Sequence, residues 1–239
     1  MRLSLWRRFE GGSVRRVLRI GHRGAAGHAP ENTLAAIQKG IDLGVDFVEI
    51  DLRRTADGAL VVLHDASVNR TTNGRGRVDR LSLNEVRKLD AGNGERIPTL
   101  AEVLAAVSSR CGLMLEIKAE GIARQVVETV KAVGFRGPAI YASFLHDELR
   151  DVRVADPKAR LMVLFSRLPR APVACATKYE AAYVGLRHDT ATGRLVDAFH
   201  QAGLLVCVYT ADRPGHIRHA LSVCVDGVIS NVPDRITTT

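Results

Sequence analysis

Glu49 and Asp51 stand two residues apart in Val48-Glu49-Ile50-Asp51-Leu52, and His64-Asp65 follows thirteen residues after Asp51. In an extended strand, positions i and i+2 project from one face, so the two carboxylates share a surface. Between them and the histidine lies Thr55-Ala56-Asp57-Gly58-Ala59. Asp-Gly flanked by apolar alternation is a strong hairpin signal. With Asp57-Gly58 as a two-residue loop, Ala56 faces Ala59 and Asp51 lies directly opposite His64. The imidazole then joins both acids on one face.

The same kinds of group recur where other apolar runs end. Gly21-His22-Arg23-Gly24 follows Val17–Ile20, and Glu116-Ile117-Lys118 closes Leu113–Ile117 with a second i, i+2 polar pair. Three carboxylates without a cysteine among them suit a hard divalent cation, Mg2+ or Ca2+, rather than zinc. Histidines beside such a centre suit general acid and general base roles, because imidazole titrates near neutral pH. Arg23 and Lys118 supply cations for an anionic group, and guanidinium matches phosphate well. Taken singly, each residue has a structural explanation: a satisfied histidine, a helix-capping acid, a rim lysine. Together they describe phosphodiester cleavage.

Positioning these groups requires strand ends that converge. Eight apolar, β-rich runs are expected as strands: Val17–Ile20, Phe47–Asp51, Leu113–Ile117, Ala139–Ser143, Leu161–Phe165, Ala182–Leu186, Leu204–Thr210 and Gly227–Ser230. Helical patterns fall between most of them, at Thr33–Leu43, Ala123–Val133, Asp147–Ala155, Gly193–Ala202 and His216–Ser222. Regular β-α alternation over 239 residues predicts an α/β fold, a (β/α)8 TIM barrel, whose active site lies at the C-terminal strand ends. A doubly wound open sheet is the alternative, but the chain has no G-x-G-x-x-G. The alternation breaks once, after a return strand at Leu60–Leu63. A small insertion after strand two, about residues 65–98, contains a capping-box helix start at Ser82-Leu83-Asn84-Glu85, and Thr99 caps the next helix. This excursion reads as too short for a core of its own. One barrel domain is expected over residues 17–239, preceded by a basic extension at 1–16.

Composition narrows the partners. The chain is 46% hydrophobic with a net charge of +8, and 28 of its 34 basic residues are arginines spread along its length. No dense basic run interleaved with aromatics is present, so no nucleic-acid partner is expected, and solvated charge or steering of a small anion is the reading. No apolar run reaches membrane-spanning length. The start, with Leu3, Leu5, Trp6 and Phe9 among Arg2, Arg7 and Arg8, lacks the apolar stretch of a signal peptide, which predicts a cytoplasmic protein. Such a start has the composition to touch an anionic membrane, but a frayed terminus or packing under the barrel is the expectation. Cys111, Cys175, Cys207 and Cys224 show no C-x-x-C spacing and read as reduced, non-ligand thiols.

Six motifs in order carry a family resemblance: His22-Arg23-Gly24; Ala29-Pro30-Glu31-Asn32-Thr33; Glu49-Ile50-Asp51; His64-Asp65 with Arg70-Thr71-Thr72-Asn73-Gly74; Ile97-Pro98-Thr99-Leu100; and Glu116-Ile117-Lys118. The chain resembles the glycerophosphodiester phosphodiesterases from about Val17 to Asp234. That resemblance implies a barrel of the phospholipase-C-like type and release of glycerol 3-phosphate from a small phosphodiester substrate. By the same resemblance Glu49, Asp51 and Glu116 bind the divalent metal, His22 and His64 form the acid–base pair, and Arg23 and Lys118 hold the phosphate. Departures fall late in the chain. Tyr209, in Val208-Tyr209-Thr210, stands where the family often has tryptophan, and Arg187-His188 replaces Asn-Pro-like residues, positions that shape the pocket around the alcohol. Phe144 reads as a pocket wall or a core aromatic, and Glu31 as a site residue or part of a helix start capped by Asn32 or Thr33. Lysophospholipids or sugar phosphodiesters are alternative substrates, and a non-catalytic phosphate-binding barrel is the alternative of another class.

Overall fold

A computed structural model describes residues 16–237 of the chain. The expected basic extension, Arg16 apart, lies outside the described residues. In chain order the elements are β1 (Leu18–Gly21), α1 (Leu34–Asp42), β2 (Phe47–Arg54), β3 (Leu60–Val62), α2 (Leu83–Val86), α3 (Leu100–Val107), β4 (Gly112–Ile117), α4 (Ala123–Val133) and β5 (Ala139–Ser143). They continue with α5 (His146–Ala155), β6 (Arg160–Phe165), α6 (Pro172–Lys178), β7 (Tyr183–Arg187), α7 (Gly193–Gln201), β8 (Leu205–Tyr209), α8 (Pro214–Ser222) and β9 (Gly227–Ser230). Eight of the strands pair in parallel, and β1 pairs with both β2 and β9, which closes the expected (β/α)8 barrel. Among the described residues no helix is long and apolar enough to cross a membrane.

Alternation along each strand sorts side chains between two cores. Ile20, Phe47, Met114, Ile140, Met162, Tyr183 and Cys207 fill the barrel interior. Their sequence neighbours, such as Val48, Leu113, Leu115, Leu161, Val184 and Val206, face the helices in a separate outer core. The helices meet that core through 3.6-residue stripes; α3 buries Leu100, Val103, Leu104 and Val107. Both anticipated capping boxes are present, Ser82 with Glu85 and Thr99 with Glu102. The helix α6 has no counterpart in the sequence reading. Its seven-residue run Pro-Val-Ala-Cys-Ala-Thr-Lys fully buries only Ala176, with Val173 and Cys175 partly buried against the outer core, too short a stripe to stand out in the sequence.

Two expectations are corrected. The β2–β3 hairpin pairs Leu52 with Val62 and Arg54 with Leu60, so Asp51 faces Leu63 and not His64. Asp57-Gly58 is not a two-residue loop. Thr55 and Ala59 close a three-residue loop, with the Thr55 N–H donating to the Ala59 carbonyl at 2.9 Å and Gly58 in the left-handed region at φ +87°. A one-residue slip reverses every facing side chain. His64 reaches the barrel mouth because the chain leaves the ladder after Leu63, with its carbonyl held by Arg53 Nε at 2.8 Å. The excursion after β3 also has a core. Val61, Leu63, Val68, Val78, Val86, Ala91 and Ile97 form a separate buried cluster, because β3 turns alternate residues toward the insertion while Leu60 and Val62 face the barrel helices.

The loop after β1 must be tight to aim its polar residues inward. Gly24 has φ +89°, and a Cβ there would lie 2.4 Å from the Ala36 carbonyl carbon. Gly44 also has a positive φ, +68°, but faces open space. Gly44→Ala is expected to cost about 1 kcal/mol of stability, the ordinary cost of a left-handed backbone. Gly24→Ala adds a backbone clash and is expected to cost more than about 2 kcal/mol. Thermal unfolding of the two variants compares them, and equal losses would contradict the close packing of this loop on α1.

Candidate active site

The register of β2 against β4 builds the acidic centre. Asp51 and Glu116 are direct partners across this parallel pair, and Glu49 lies one pleat below on the same inward face. One oxygen from each of the three lies within 4.8 Å of the others, and all three side chains are buried. Asp51 is 1% exposed and Glu49 3%. Such crowding of like charge away from water is costly. Burial and the neighbouring carboxylates push Glu49 well above the usual carboxylate range, and burial and Asp51 push Glu116 up to about 7.

Cations and amides surround the trio without saturating it. Lys118 Nζ sits 2.6 Å from Glu116 Oε1 and 3.6 Å from Asp51 Oδ1, and Arg23 Nε sits 3.4 Å from Asp51 Oδ2. The Arg23 backbone N–H donates to Glu49 Oε2 at 2.8 Å. Asn32 grips Asp51 twice: its Nδ2 donates to Oδ2 at 2.8 Å, and its Oδ1 accepts the Asp51 N–H at 3.3 Å. Glu49 Oε1 and Asp51 Oδ1 are nevertheless buried with no hydrogen-bond partner. Two orphaned carboxylate oxygens in an all-oxygen donor set fit a hard divalent cation. The cysteines do not contribute: Cys207 belongs to the apolar barrel interior, and all four are free.

The two histidines flank this centre, each with Nδ1 occupied. His22 Nδ1 lies 2.7 Å from Asn231 Oδ1, while Asn231 Nδ2 donates to Asp212 Oδ2 at 2.7 Å. Orienting the amide this way assigns the Nδ1 proton to His22 and leaves Nε2 with a lone pair, 4.0 Å from Glu49 Oε2. His64 Nδ1 lies 2.6 Å from Asp65 Oδ1. A carboxylate only accepts, so Nδ1 is again the donor and Nε2 is free. Burial lowers both histidines below the ordinary imidazole value. At both, the Arg23 charge adds to the lowering and Asp51 opposes it; hydrogen bonding to the Asp65 carboxylate opposes it further at His64, and to the Asn231 amide at His22.

One arginine links these arms. Arg70 donates through Nε to Asp65 Oδ2 at 2.7 Å and through Nη1 and Nη2 to both Glu31 oxygens at 2.8 Å. Glu31 in turn accepts from Arg23 Nη1 at 2.7 Å. The half-buried Glu31 carboxyl is held down at about 2, against the upward push of desolvation, by hydrogen bonding to Arg70 and the charge of Arg23. The insertion, which carries Arg70, thereby fixes His64 and Arg23 together.

The metal, acid–base, phosphate and wall candidates named from the sequence fall in this region. His22, Arg23, Glu49, His64, Glu116 and Lys118 line one cavity of about 230 Å³, and Asp51 lies behind it. Phe144 and Tyr209 form its apolar wall, with ring centroids 5.7 Å apart in an edge-to-face contact. Tyr209 is anchored by its hydroxyl, which donates to the Phe165 carbonyl at 2.7 Å. Arg187 and His188 do not line the cavity: Arg187 pairs with Asp189, and His188 stacks on His216 at 3.9 Å. Sequence reasoning missed Asn32 as a partner of Asp51, since the helix-start reading absorbed it; Thr33 is the cap. It also missed Asn231, although that residue follows the last barrel strand, where a mouth-facing group belongs.

The comparisons with known proteins agree with this geometry. A model of the glycerophosphoryl diester phosphodiesterase family matches residues 22–235. A glycerophosphodiester phosphodiesterase of Caldanaerobacter subterraneus subsp. tengcongensis is 35% identical, over 92% of this chain and 96% of its own. A phosphodiesterase of Oleispira antarctica, solved with its product sn-glycerol-3-phosphate, superposes with a TM-score of 0.85 at 29% identity, covering 91% of this chain and 94% of its own. A putative glycerophosphodiester phosphodiesterase of Galdieria sulphuraria gives 0.86 at 27% identity, covering 94% and 98%. With the barrel, the acidic centre and these relatives in agreement, the chain belongs to the glycerophosphoryl diester phosphodiesterase family.

Proposed function

We propose that the protein hydrolyses glycerophosphodiesters to glycerol 3-phosphate and an alcohol in the cavity between β2, β4 and the loop after β1. The observation that carries this reading is a buried trio of carboxylates with two orphaned oxygens, faced by two imidazoles that each keep Nε2 free. In the Oleispira relative the product is sn-glycerol-3-phosphate; the same product fits a cavity with cations at one side and an aromatic wall at the other. Four free cysteines favour a cytoplasmic location.

Glu49, Asp51 and Glu116 would hold the cation, and their oxygen donors suit Mg2+ or Ca2+. When bound, that ion supplies charge neutralisation on the phosphate and lowers the pKa of the attacking hydroxyl. Arg23 and Lys118 hold the phosphoryl oxygens and stabilise the charge that grows on them in the transition state. We assign His22 as general base: its Nδ1 partner is a neutral amide, and burial with the adjacent guanidinium disfavours the imidazolium, so Nε2 is available to take a proton. His64 is then the general acid, because the Asp65 carboxylate at Nδ1 stabilises its protonated form, and it delivers a proton from Nε2 to the departing alcohol. The nucleophile is water or the substrate's own glycerol 2-hydroxyl. Phe144 and Tyr209 close the apolar side of the pocket and exclude water from it.

Removing either imidazole should be costly. His22→Ala and His64→Ala are each expected to lower kcat on glycerophosphocholine by about 10²–10⁴-fold; near-normal turnover in both would overturn the assignment.

Chelation with EDTA should abolish turnover, and Mg2+ or Ca2+ should restore it. Protons compete with the cation at Glu116, so its affinity, read by calorimetry, should weaken as pH falls through about 7. Full activity in chelator would exclude the metal role.

The acid–base assignment has its own test in Asn231→Asp, which sets a carboxylate against His22 Nδ1 and raises its pKa. A base must be deprotonated to act, so the acidic limb of the kcat/KM profile should move to higher pH. An unmoved acidic limb would exclude His22 as the base.

A further inference from the structure

A second cavity, of about 580 Å³, lies beside the first, between the end of β2, the residues after β4 and the insertion. Lys118 lines both. The larger cavity is basic: Arg53, Arg54, Arg77 and Lys118 face it, against Asp79 and Glu120. Arg77 is already paired with Asp79 at 2.7 Å. Arg53 is not paired. It continues the face of Glu49 and Asp51 along β2, and its guanidinium is held by two main-chain oxygens, His64 O at 2.8 Å from Nε and Lys118 O at 3.2 Å from Nη1. Among the described residues no carboxylate lies within salt-bridge distance of it, and its side-chain hydrogen bonds go to main-chain oxygens alone. Arg54 likewise donates only to a main-chain oxygen, that of Gly121 at 3.2 Å.

The chemistry assigned above uses none of Arg53, Arg54 or Arg77. A phosphodiester held at Lys118 has two arms, and a basic chamber shares that lysine as a wall. We propose that this chamber is a second anion subsite, which takes a phosphate carried on the alcohol half of the substrate. Guanidinium groups fixed through main-chain carbonyls match a phosphate monoester in charge and in fork geometry. The enzyme would thus favour glycerophosphodiesters whose leaving alcohol is itself phosphorylated. This inference rests on the function proposed above.

The test compares glycerophosphoglycerol with the same compound phosphorylated on its distal glycerol, in Mg2+, for the wild-type chain and for Arg54→Glu/Arg77→Glu. The wild type is expected to prefer the phosphorylated substrate by about tenfold or more in kcat/KM, mostly through KM, a scale typical of charge-assisted hydrogen bonds. The double variant is expected to lose that preference while keeping its kcat/KM on plain glycerophosphoglycerol. Equal use of both substrates by the wild type, or a preference that survives the double substitution, would overturn the subsite. Calorimetry with His64→Ala, alone and combined with the double substitution, reads the same preference without turnover. Failure of the wild type to hydrolyse plain glycerophosphoglycerol would count against the function, while these binding data would still decide the subsite.

Discussion

Three carboxylates are forced together where water is excluded, and most of the polar structure around the barrel mouth answers that constraint. The parallel register of β2 and β4 sets Asp51 beside Glu116, and alternation along β2 adds Glu49 to the same face. Neither strand can relieve the repulsion by turning, since the outward faces of both are packed into the outer core. The compensation is therefore local and polar: Lys118 meets Glu116 and Asp51, the Arg23 guanidinium and the Asn32 amide meet Asp51, and the Arg23 N–H meets Glu49. That compensation is incomplete, and the two buried oxygens left over, Glu49 Oε1 and Asp51 Oδ1, are the ones a divalent cation could take.

A second tier of contacts turns this charged centre into an oriented one. Asn231 and Asp212 fix the ring of His22 from the end of β9, and Asp65 fixes that of His64 from the start of the insertion. The two anchors differ in charge, amide against carboxylate, and that difference is the basis of the proposed division into base and acid. Arg70 joins the halves by holding Asp65 with one edge and Glu31 with the other. The insertion is thus more than a surface loop. Its small core of Val61, Leu63, Val68 and Val86 is the platform from which Arg70 and Asp65 reach the barrel mouth.

The barrel was legible because its signals are local and repeated. Apolar runs of strand length, helical stripes and capping residues recur along the chain, and each specifies its element with little help from distant contacts. The chemical groups were legible for the same reason: i, i+2 spacing alone puts Glu49 with Asp51 on one face, and Glu116 with Lys118. The Asp-Gly turn was misread because its loop length is decided by the chain around it. Thr55 accepts the Ala59 N–H on its side-chain oxygen, and Asp57 receives the Leu83 N–H of the insertion, which together favour the three-residue loop. Residues such as Asn32 and Asn231 were missed because a lone asparagine carries no spacing signal.

By itself, the sequence determined the closed α/β architecture, the acids, histidines and cations of the centre, and the family. These follow from periodicity and from residue type at strand ends, which act over a few residues. The tertiary structure decided the hairpin register, the core beneath the insertion, and the partners that distinguish His22 from His64. It also decided that Arg53 faces a basic chamber with no carboxylate within salt-bridge distance of it among the described residues. Each of these depends on groups far apart in the chain meeting at one point, as Asn231 meets His22, and such meetings are set by barrel closure rather than by local pattern.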